Sequence, residues 1–440
     1  MRIADYLKTG ILGWPNWINL ILLRLNVFGP LAYGPSYMKF KRHINEINAE
    51  EALINMVNHA IAHVPYYRKK YGNLKIRSKK DFEEKIEFID KDEVLQHWES
   101  FIVDGIDRSL VKEETTGGTS GKPLKLLIPQ NRYIFSLAYW HKEIEQYGWK
   151  YNARGVIRNH HLPEGRVFQI NPILKEFIFD PFRMNDVYAK EVWKTLKKYN
   201  IHYMHCYPSA MFQFCKLCYN QNLNLDIIKV CFLASEEVTE EQRFFIENKL
   251  GIKIYSFYGH SEKLIFAGST PDDQHYKIEN SYGLCELVQG SSIVKEPGVV
   301  GEMVGTTLHN PYFPLIRYRT GDYAEYVCSK DGLRLGNVSG RWDKSQIIKN
   351  DGSKISTASI NLHSSLYEHI DGIQYIQEIE GYIKVLIIKN NKFSDQDEKE
   401  LLQHLGCAMG GKEFVEICYV DKLVRLSNGK FLPLIQKIQK

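Results

Sequence analysis

The stretch Glu113–Leu124, EETTGGTSGKPL, carries three glycines, four hydroxyl side chains and a lysine in twelve residues. Glycine lets the backbone approach a ligand closely, and small hydroxyl residues add O–H donors to its N–H groups, a composition suited to phosphate. The P-loop pattern G-x-x-x-x-G-K-[ST] is not met. Thr116 stands where its first glycine belongs, and Pro123 follows Lys122 without a hydroxyl for Mg²⁺. Taken alone, the stretch is either a phosphate loop of another kind or a flexible surface loop.

The surrounding chain narrows the choice. Its 440 residues exceed one compact core and imply two or three domains. A formal charge of +5, from 57 basic and 52 acidic residues without a long basic run, suits an enzyme of anionic ligands and does not point to nucleic acid. Eight cysteines form no regular framework. Cys215 and Cys218 are spaced like a metal pair, but no second pair follows, so a core role is expected of them. Reduced thiols and a cytoplasmic location are the default.

Residues 11–34 are apolar and aromatic, but Pro15, Asn16, Asn19, Arg24, Asn26 and Pro30 interrupt them. A membrane-spanning helix is not expected. Two readings stand: a helix packed on the main domain, or an interfacial element peripheral to the inner membrane.

Periodicity predicts a helix over 50–71 and another over 131–147. Strand and helix patterns then alternate: RGVIRNHH, AKEVWKTLKKYN, IHYMHCYP, SAMFQFCKLCYNQ, IIKVCFLAS, TEEQRFFIENKLG, IKIYSFYG. That alternation argues for βαβ units and a largely parallel sheet. From 280 to 340, short strands and turns suggest a smaller antiparallel or barrel-like unit. After GRWDKSQIIKNDG (340–352) the chain reads as a small α+β module. The expected class is α/β, with an N-terminal domain over 1–340 and a C-terminal domain over 345–440.

Four spaced signals share this frame: TTGGTSGKP (115–123), FYGHSE (257–262), RYRTGD (317–322) and GRWDK (340–344), with SNGK (427–430) near the end. Each alone has a plain reading as a turn or charged linker. A carboxylate at a strand end can hold Mg²⁺ with substrate phosphates, and an aspartate can accept from ribose hydroxyls.

In order and spacing, the set resembles the adenylate-forming superfamily of acyl-CoA synthetases, within it the phenylacetate–coenzyme A ligase branch, and especially CapK-type proteins of surface-polysaccharide gene clusters. HAIAHVPYYRKKYG (59–72) is similar to the branch's VPYYR-like helix, TTGGTSGKP to its SSGTTGKP loop, PLIRYRTGD to PVIRYRTGD, and VRLSNGK to its closing SxGK. The resemblance implies a large adenylating domain and a small hinged lid.

It also implies roles. Thr116, Gly117, Gly118, Thr119, Ser120, Gly121 and Lys122 would cradle the ATP phosphates. Ser235 and Glu236 would lie beside adenine, with Tyr258 stacked on it and Gly259 in the same turn. Ser261 would meet the α-phosphate and Glu262 would hold Mg²⁺. Asp322 would bind the ribose, supported by Arg341. Lys344 would be the hinge, and Lys430 the lysine of adenylation. The acid pocket would draw on His205, Tyr207, Pro208, Ser209 and Phe257. His260, where relatives carry Leu or Met, is either a contact to a polar acid or a turn residue.

The implied reaction uses ATP and Mg²⁺ to activate a small carboxylic acid, then passes the acyl group to a thiol or amine: coenzyme A, a carrier or an amino sugar. Thr357 departs from the branch's proline and makes coenzyme A the less secure acceptor. Ser269 and Thr270 stand where zinc-binding relatives carry cysteine, so no zinc is expected and His275 reads as structural. The rivals are an aryl–CoA ligase and a non-catalytic nucleotide-binding or scaffold protein.

Overall fold

The structure, a computed structural model, describes residues 13–24, 33–116, 123–270, 273–329, 332–339, 346–357, 360, 366, 369–424 and 434–438. Helix α1 (Asn16–Arg24) is seated by two asparagines. Asn16 and Asn19 donate from Nδ2 to the carbonyls of Phe168 and Ile170, at 2.8 and 3.1 Å, and Leu20 and Leu23 pack on the core below. Trp14, Trp17 and Ile21 stay exposed. No helix among the described residues is long and apolar enough to cross a membrane.

The helix expected over 50–71 forms as two. In α2 (Ala49–His63), Asn48 caps the start by accepting from the amides of Glu50 and Glu51, and Leu53, Met56, Val57, Ala60 and Ile61 make the buried stripe. Pro65 pushes the residue before it out of helical conformation, so Val64 is extended (φ −108°, ψ 119°) and Pro65 opens α3 (Pro65–Tyr71). Strands β1 (Val111–Thr115) and β2 (Lys125–Pro129) then form an antiparallel hairpin around the glycine-rich stretch, and α4 (Arg132–Glu145) follows.

The alternating region folds as read: β3 (Arg154–Ile157), α5 (Asp186–Tyr199), β6 (Tyr203–Cys206), α6 (Pro208–Asn220), β7 (Val230–Ala234) and β8 (Lys253–Gly259). Two strands that the sequence pattern did not single out, β4 (Gln169–Asn171) and β5 (Glu176–Phe179), enter between β3 and α5. Strands β5, β3, β6, β7 and β8 are parallel neighbours in that order. Helices cover both faces, so all of β7 is buried. On one face Met204 and Cys206 meet Leu196 and Phe214. On the other, Tyr203, Phe232 and Tyr255 meet Phe135, Tyr139 and Trp140.

The antiparallel strands continue this sheet rather than standing apart from it. Strand β9 (Phe266–Thr270) pairs antiparallel with β8, placing Gly268 opposite Phe257. A Cβ at Gly268 would stand 2.4 Å from the Tyr255 hydroxyl, so the close approach of ring to backbone requires glycine. Strands β10 (Asp273–Ile278), β11 (Gly283–Gln289), β12 (Ser292–Ile293), β13 (Val300–Thr307), β14 (Tyr318–Ser329) and β15 (Gly332–Ser339) complete thirteen strands among the described residues, running from β12 to β4 as open edges. One sheet therefore carries three hydrophobic clusters, two on the faces of its parallel half and a third, holding the α2 stripe, on its antiparallel half.

The remaining described residues form a hairpin of β16 (Gln346–Ile348) and β17 (Lys354–Ser356) and a four-stranded sheet. That sheet comprises β18 (Ile370–Ile379), β19 (Tyr382–Lys389), β20 (Val415–Tyr419) and β21 (Leu434–Gln436). Helix α7 (Asp395–Met409) packs on it, opened by a Ser394–Asp397 capping box and closed by Gly410 at φ +93°. The α/β class expected from the sequence holds.

Candidate active site

The parallel strands point their carboxyl ends at one place, where open α/β sheets bind ligands. Arg158 follows β3, Tyr207 follows β6, Ser235 and Glu236 follow β7, and Tyr258 to Glu262 close β8. Ser235 is held at φ +73°, a backbone state that non-glycine residues adopt rarely, and its Oγ accepts from Arg158 Nη2 at 3.0 Å. Glu236 is tied to α6: its carboxylate accepts from the Ser209 amide and hydroxyl, at 2.9 and 3.0 Å. A carboxylate there satisfies a first-turn N–H and complements the helix dipole.

Tyr258 and Asp322 meet although 64 residues apart. The phenol donates to Asp322 Oδ2 at 2.8 Å. Asp322 does not sit on a hairpin turn. Glu302 pairs with Tyr323 and Val304 with Arg319, so Thr320–Gly321–Asp322 bulge out of β14, with Gly321 at φ +73°. The Gly321 amide donates to Glu302 Oε1 at 3.1 Å and the Thr320 hydroxyl to the Met303 carbonyl at 2.7 Å, which pins the bulge. Burial, then the Asp322 charge, drives the Tyr258 pKa far above its ordinary value, so the phenol keeps its proton.

Past Gly259 and Ser261, the turn that closes on Lys263 aims Glu262. His260 accepts the Ile265 amide at Nε2 (3.2 Å) and faces Glu262 Oε2 with Nδ1 (2.9 Å). Arg132 Nη2 donates to the Lys263 carbonyl at 2.8 Å, and Lys263 Nζ lies 3.7 Å from Glu114 Oε2 at the end of β1. The turn is thereby joined to the base of the glycine-rich stretch. There the Thr116 amide donates to the Leu124 carbonyl (2.9 Å), and the Thr116 hydroxyl accepts from the Leu124 amide (3.0 Å).

Gly117, Gly118, Thr119, Ser120, Gly121, Lys122, Arg341, Lys344 and Lys430 lie outside the described residues. The described flanks of SNGK are anchored. Gln374 exchanges two hydrogen bonds with the Val424 backbone, and β21 pairs in parallel with Tyr375–Gln377 of β18.

Among the described residues no group of three or more His, Cys, Asp or Glu side chains converges to hold a metal ion. Mg²⁺ needs no such cage, because it takes one or two carboxylates with substrate phosphates, and Glu262 beside the hairpin base fits that arrangement. Cys215 and Cys218 lie in the α6 core, where burial pushes the Cys218 thiol up to about 12. His275 is engaged by Asp273 at 2.7 Å.

Of the expected acid pocket, His205 and Phe257 come together. The His205 ring lies 6.4 Å from Phe257 and 4.8 Å from Trp140. Tyr207 and Pro208 open α6, and the Tyr207 ring lies 4.9 Å beneath the Arg158 guanidinium. His260 stands with Tyr258, ring centroids 5.8 Å apart, and serves the Glu262 turn. Sequence reading missed Arg158 and Trp140. A cation just past a strand's carboxyl end was the available signal for Arg158. Trp140 carried none, because an aromatic on an amphipathic helix reads as core.

Residues 347–437 match the family model of the CapK C-terminal domain. Over 131 residues the chain is 31% identical to the phenylacetate-coenzyme A ligase of Thermus thermophilus, covering 28% of this chain and 29% of that one. It is 29% identical over 134 residues to the phenylacetate-coenzyme A ligase of Pseudomonas putida, with the same coverage. The chain thus spans under a third of the length of the curated relatives it matches.

The structural likeness is broader. A 2-hydroxyisobutyryl-CoA ligase in complex with 2-HIB-AMP and CoA superposes with a TM-score of 0.54 at 15% identity, covering 93% of this chain and 92% of that one. Its open conformation, also with 2-HIB-AMP and CoA, gives 0.53 at 15% identity, covering 88% and 90%. The fold of the chain is that of the adenylate-forming CoA ligases.

Proposed function

We propose that this chain is an AMP-forming carboxylate ligase: it joins a carboxylic acid to the AMP moiety of ATP, releases pyrophosphate, and passes the acyl group to a thiol or amine. The carrying observation is the convergence of the Tyr258–Asp322 and His260–Glu262 pairs with the base of the glycine-rich hairpin at the carboxyl ends of one parallel sheet.

In this reading Tyr258 offers its ring to adenine and, through its hydroxyl, holds Asp322 for the ribose. Thr116 closes the hairpin so that residues 117–122 can wrap phosphate. Ser261 and Glu262 face the α-phosphate, with Glu262 as the Mg²⁺ carboxylate. The metal, when bound, offsets charge on the phosphate oxygens. Lys430 approaches the same oxygens from residues 345–440, which act as a lid on residues 1–340 with Lys344 at the hinge. Coenzyme A in the similar ligase structures supports a thiol acceptor, and the CapK match supports a role in surface-polysaccharide synthesis.

ATP–pyrophosphate exchange against aryl, hydroxy, amino and uronic acids tests this reading. Exchange with one acid class, lost in Glu262→Gln and Lys430→Ala, is the expected result. A folded protein that binds no ATP would overturn it.

A further inference from the structure

Arg158 has no part in the assignments above. Its guanidinium sits at the carboxyl end of β3, over the Tyr207 ring and beside the His205 imidazole. It is fixed on three sides by neutral groups. Nη1 lies 2.8 Å from His205 Nε2, Nη2 donates to Ser235 Oγ at 3.0 Å, and the Tyr207 ring lies 4.9 Å below. An arginine cannot give up its proton, so the His205 nitrogen must be the acceptor. Burial, then the charges of Arg158 and Arg154, holds the His205 pKa far below its ordinary value, and the ring is neutral.

The neighbouring arginines are neutralised. Arg154 pairs with Glu176 at 2.7 Å and Arg183 with Asp180 at 3.1 Å. Arg158 has no carboxylate within ion-pair distance among the described residues. Glu236, the nearest acid along the chain from Ser235, is bound to Ser209. A guanidinium has five N–H donors in a planar fork that matches a carboxylate in two parallel bonds. Two are committed here, and three remain. A fixed, half-buried and unneutralised guanidinium beside Trp140, His205 and Phe257 is poor company for a plain aryl or fatty acid, because that charge would lose water without gaining a partner.

We propose that Arg158 determines specificity by pairing with a second anionic group on the acid, so that the substrate class is the dicarboxylates and comparable doubly anionic acids. This rests on the ligase reading for which carboxylate reacts: one end goes to ATP, and the distal end is held by Arg158. Held this way, the distal group lies against the His205–Trp140 wall and the reacting carboxylate is left toward Ser261 and Glu262.

The test compares malonate, succinate, glutarate and adipate with their monoamides on the full chain. Binding is read by isothermal titration calorimetry without nucleotide, and turnover by ATP–pyrophosphate exchange. At least one diacid should bind 10-fold or more tightly than its monoamide. Arg158→Met should abolish that preference, and Arg158→Lys should keep part of it. In exchange, Arg158→Met should raise the diacid KM far more than it lowers kcat, and far more than it changes the monoamide KM. A merely structural role would move both ligands together. Equal affinity for diacids and monoamides, or binding of neither, overturns the proposal. Arg158-dependent diacid binding without any exchange upholds the anion site and instead removes the ligase reading.

Discussion

His260 stands between Glu262 and the Ile265 amide, with Nδ1 2.9 Å from the carboxylate and Nε2 3.2 Å from the amide nitrogen. An amide can only donate, so Nε2 accepts and the proton of the neutral ring lies on Nδ1, aimed at Glu262. A carboxylate that would hold Mg²⁺ is thereby given one orientation. Removing a partner that orients a metal ligand typically costs about 10–100-fold in metal affinity or activity. His260→Leu should raise the Mg²⁺ concentration needed for half-maximal exchange by about that factor. His260→Gln, which keeps a donor, should recover part of it. An unchanged Mg²⁺ titration would mean that Glu262 is positioned without the imidazole.

Tyr258→Phe keeps a ring for adenine and deletes the hydrogen bond to Asp322. A bond to a charged acceptor is worth about 1.5–3 kcal/mol. The variant should bind ATP about 10-fold or more weakly, and Asp322→Asn should bind it more weakly still. Equilibrium titration with ATP measures both. Equal affinity in Tyr258→Phe would detach the phenol from nucleotide binding.

The first arginine of RYRTGD has a structural duty. Arg317, at φ 51°, pairs through Nε and Nη2 with both oxygens of Glu286 (3.0 and 2.7 Å) and donates from Nη1 to the carbonyls of Glu83 and Ile86. Both side chains are only 4% exposed. Breaking one side of such a buried pair costs about 3–5 kcal/mol. Glu286→Ala should lower the urea midpoint accordingly, whereas removing the exposed Glu87 partner of Lys70 should change the unfolding free energy by at most about 1 kcal/mol.

Glu143 supplies a pH signature. Burial, then the nearby Glu279 charge, pushes its carboxyl up to about 7 from an ordinary 4.5. The folded chain therefore holds this proton over a range where the unfolded chain has lost it. Its contribution to stability falls as pH rises from about 4.5 to about 7 and is constant above, with a total on the order of 3 kcal/mol. Urea midpoints at pH 5 and 8 should differ less in Glu143→Gln than in the native chain. An identical difference in both proteins would show that Glu143 is ionised while buried.

The α/β class and the alternation from Arg154 to Gly259 were legible in the sequence, because the period of a strand or helix is a local property. The helix read over 50–71, with its apolar spacing running up to Pro65, forms as two because that proline forces Val64 out of helical conformation. Strands β4 and β5 went unseen because three or four residues make no period of their own. They are strands only through pairing with β3 and with each other.

The amino-acid sequence by itself determined which residue types were available, where strands and helices alternate, and that Tyr258 and Glu262 stand where a strand ends. Only the tertiary structure decided their partners. The phenol finds Asp322 because a bulge, pinned by Glu302, extrudes it. The imidazole meets Glu262 because the turn brings the Ile265 amide to its far nitrogen. Arg158 ends beside His205 and Ser235 because three parallel strands stop at one level. Hydrogen bonds and charge pairs act over a few ångströms, and residues 47 to 77 positions apart come within that reach only when the sheet assembles.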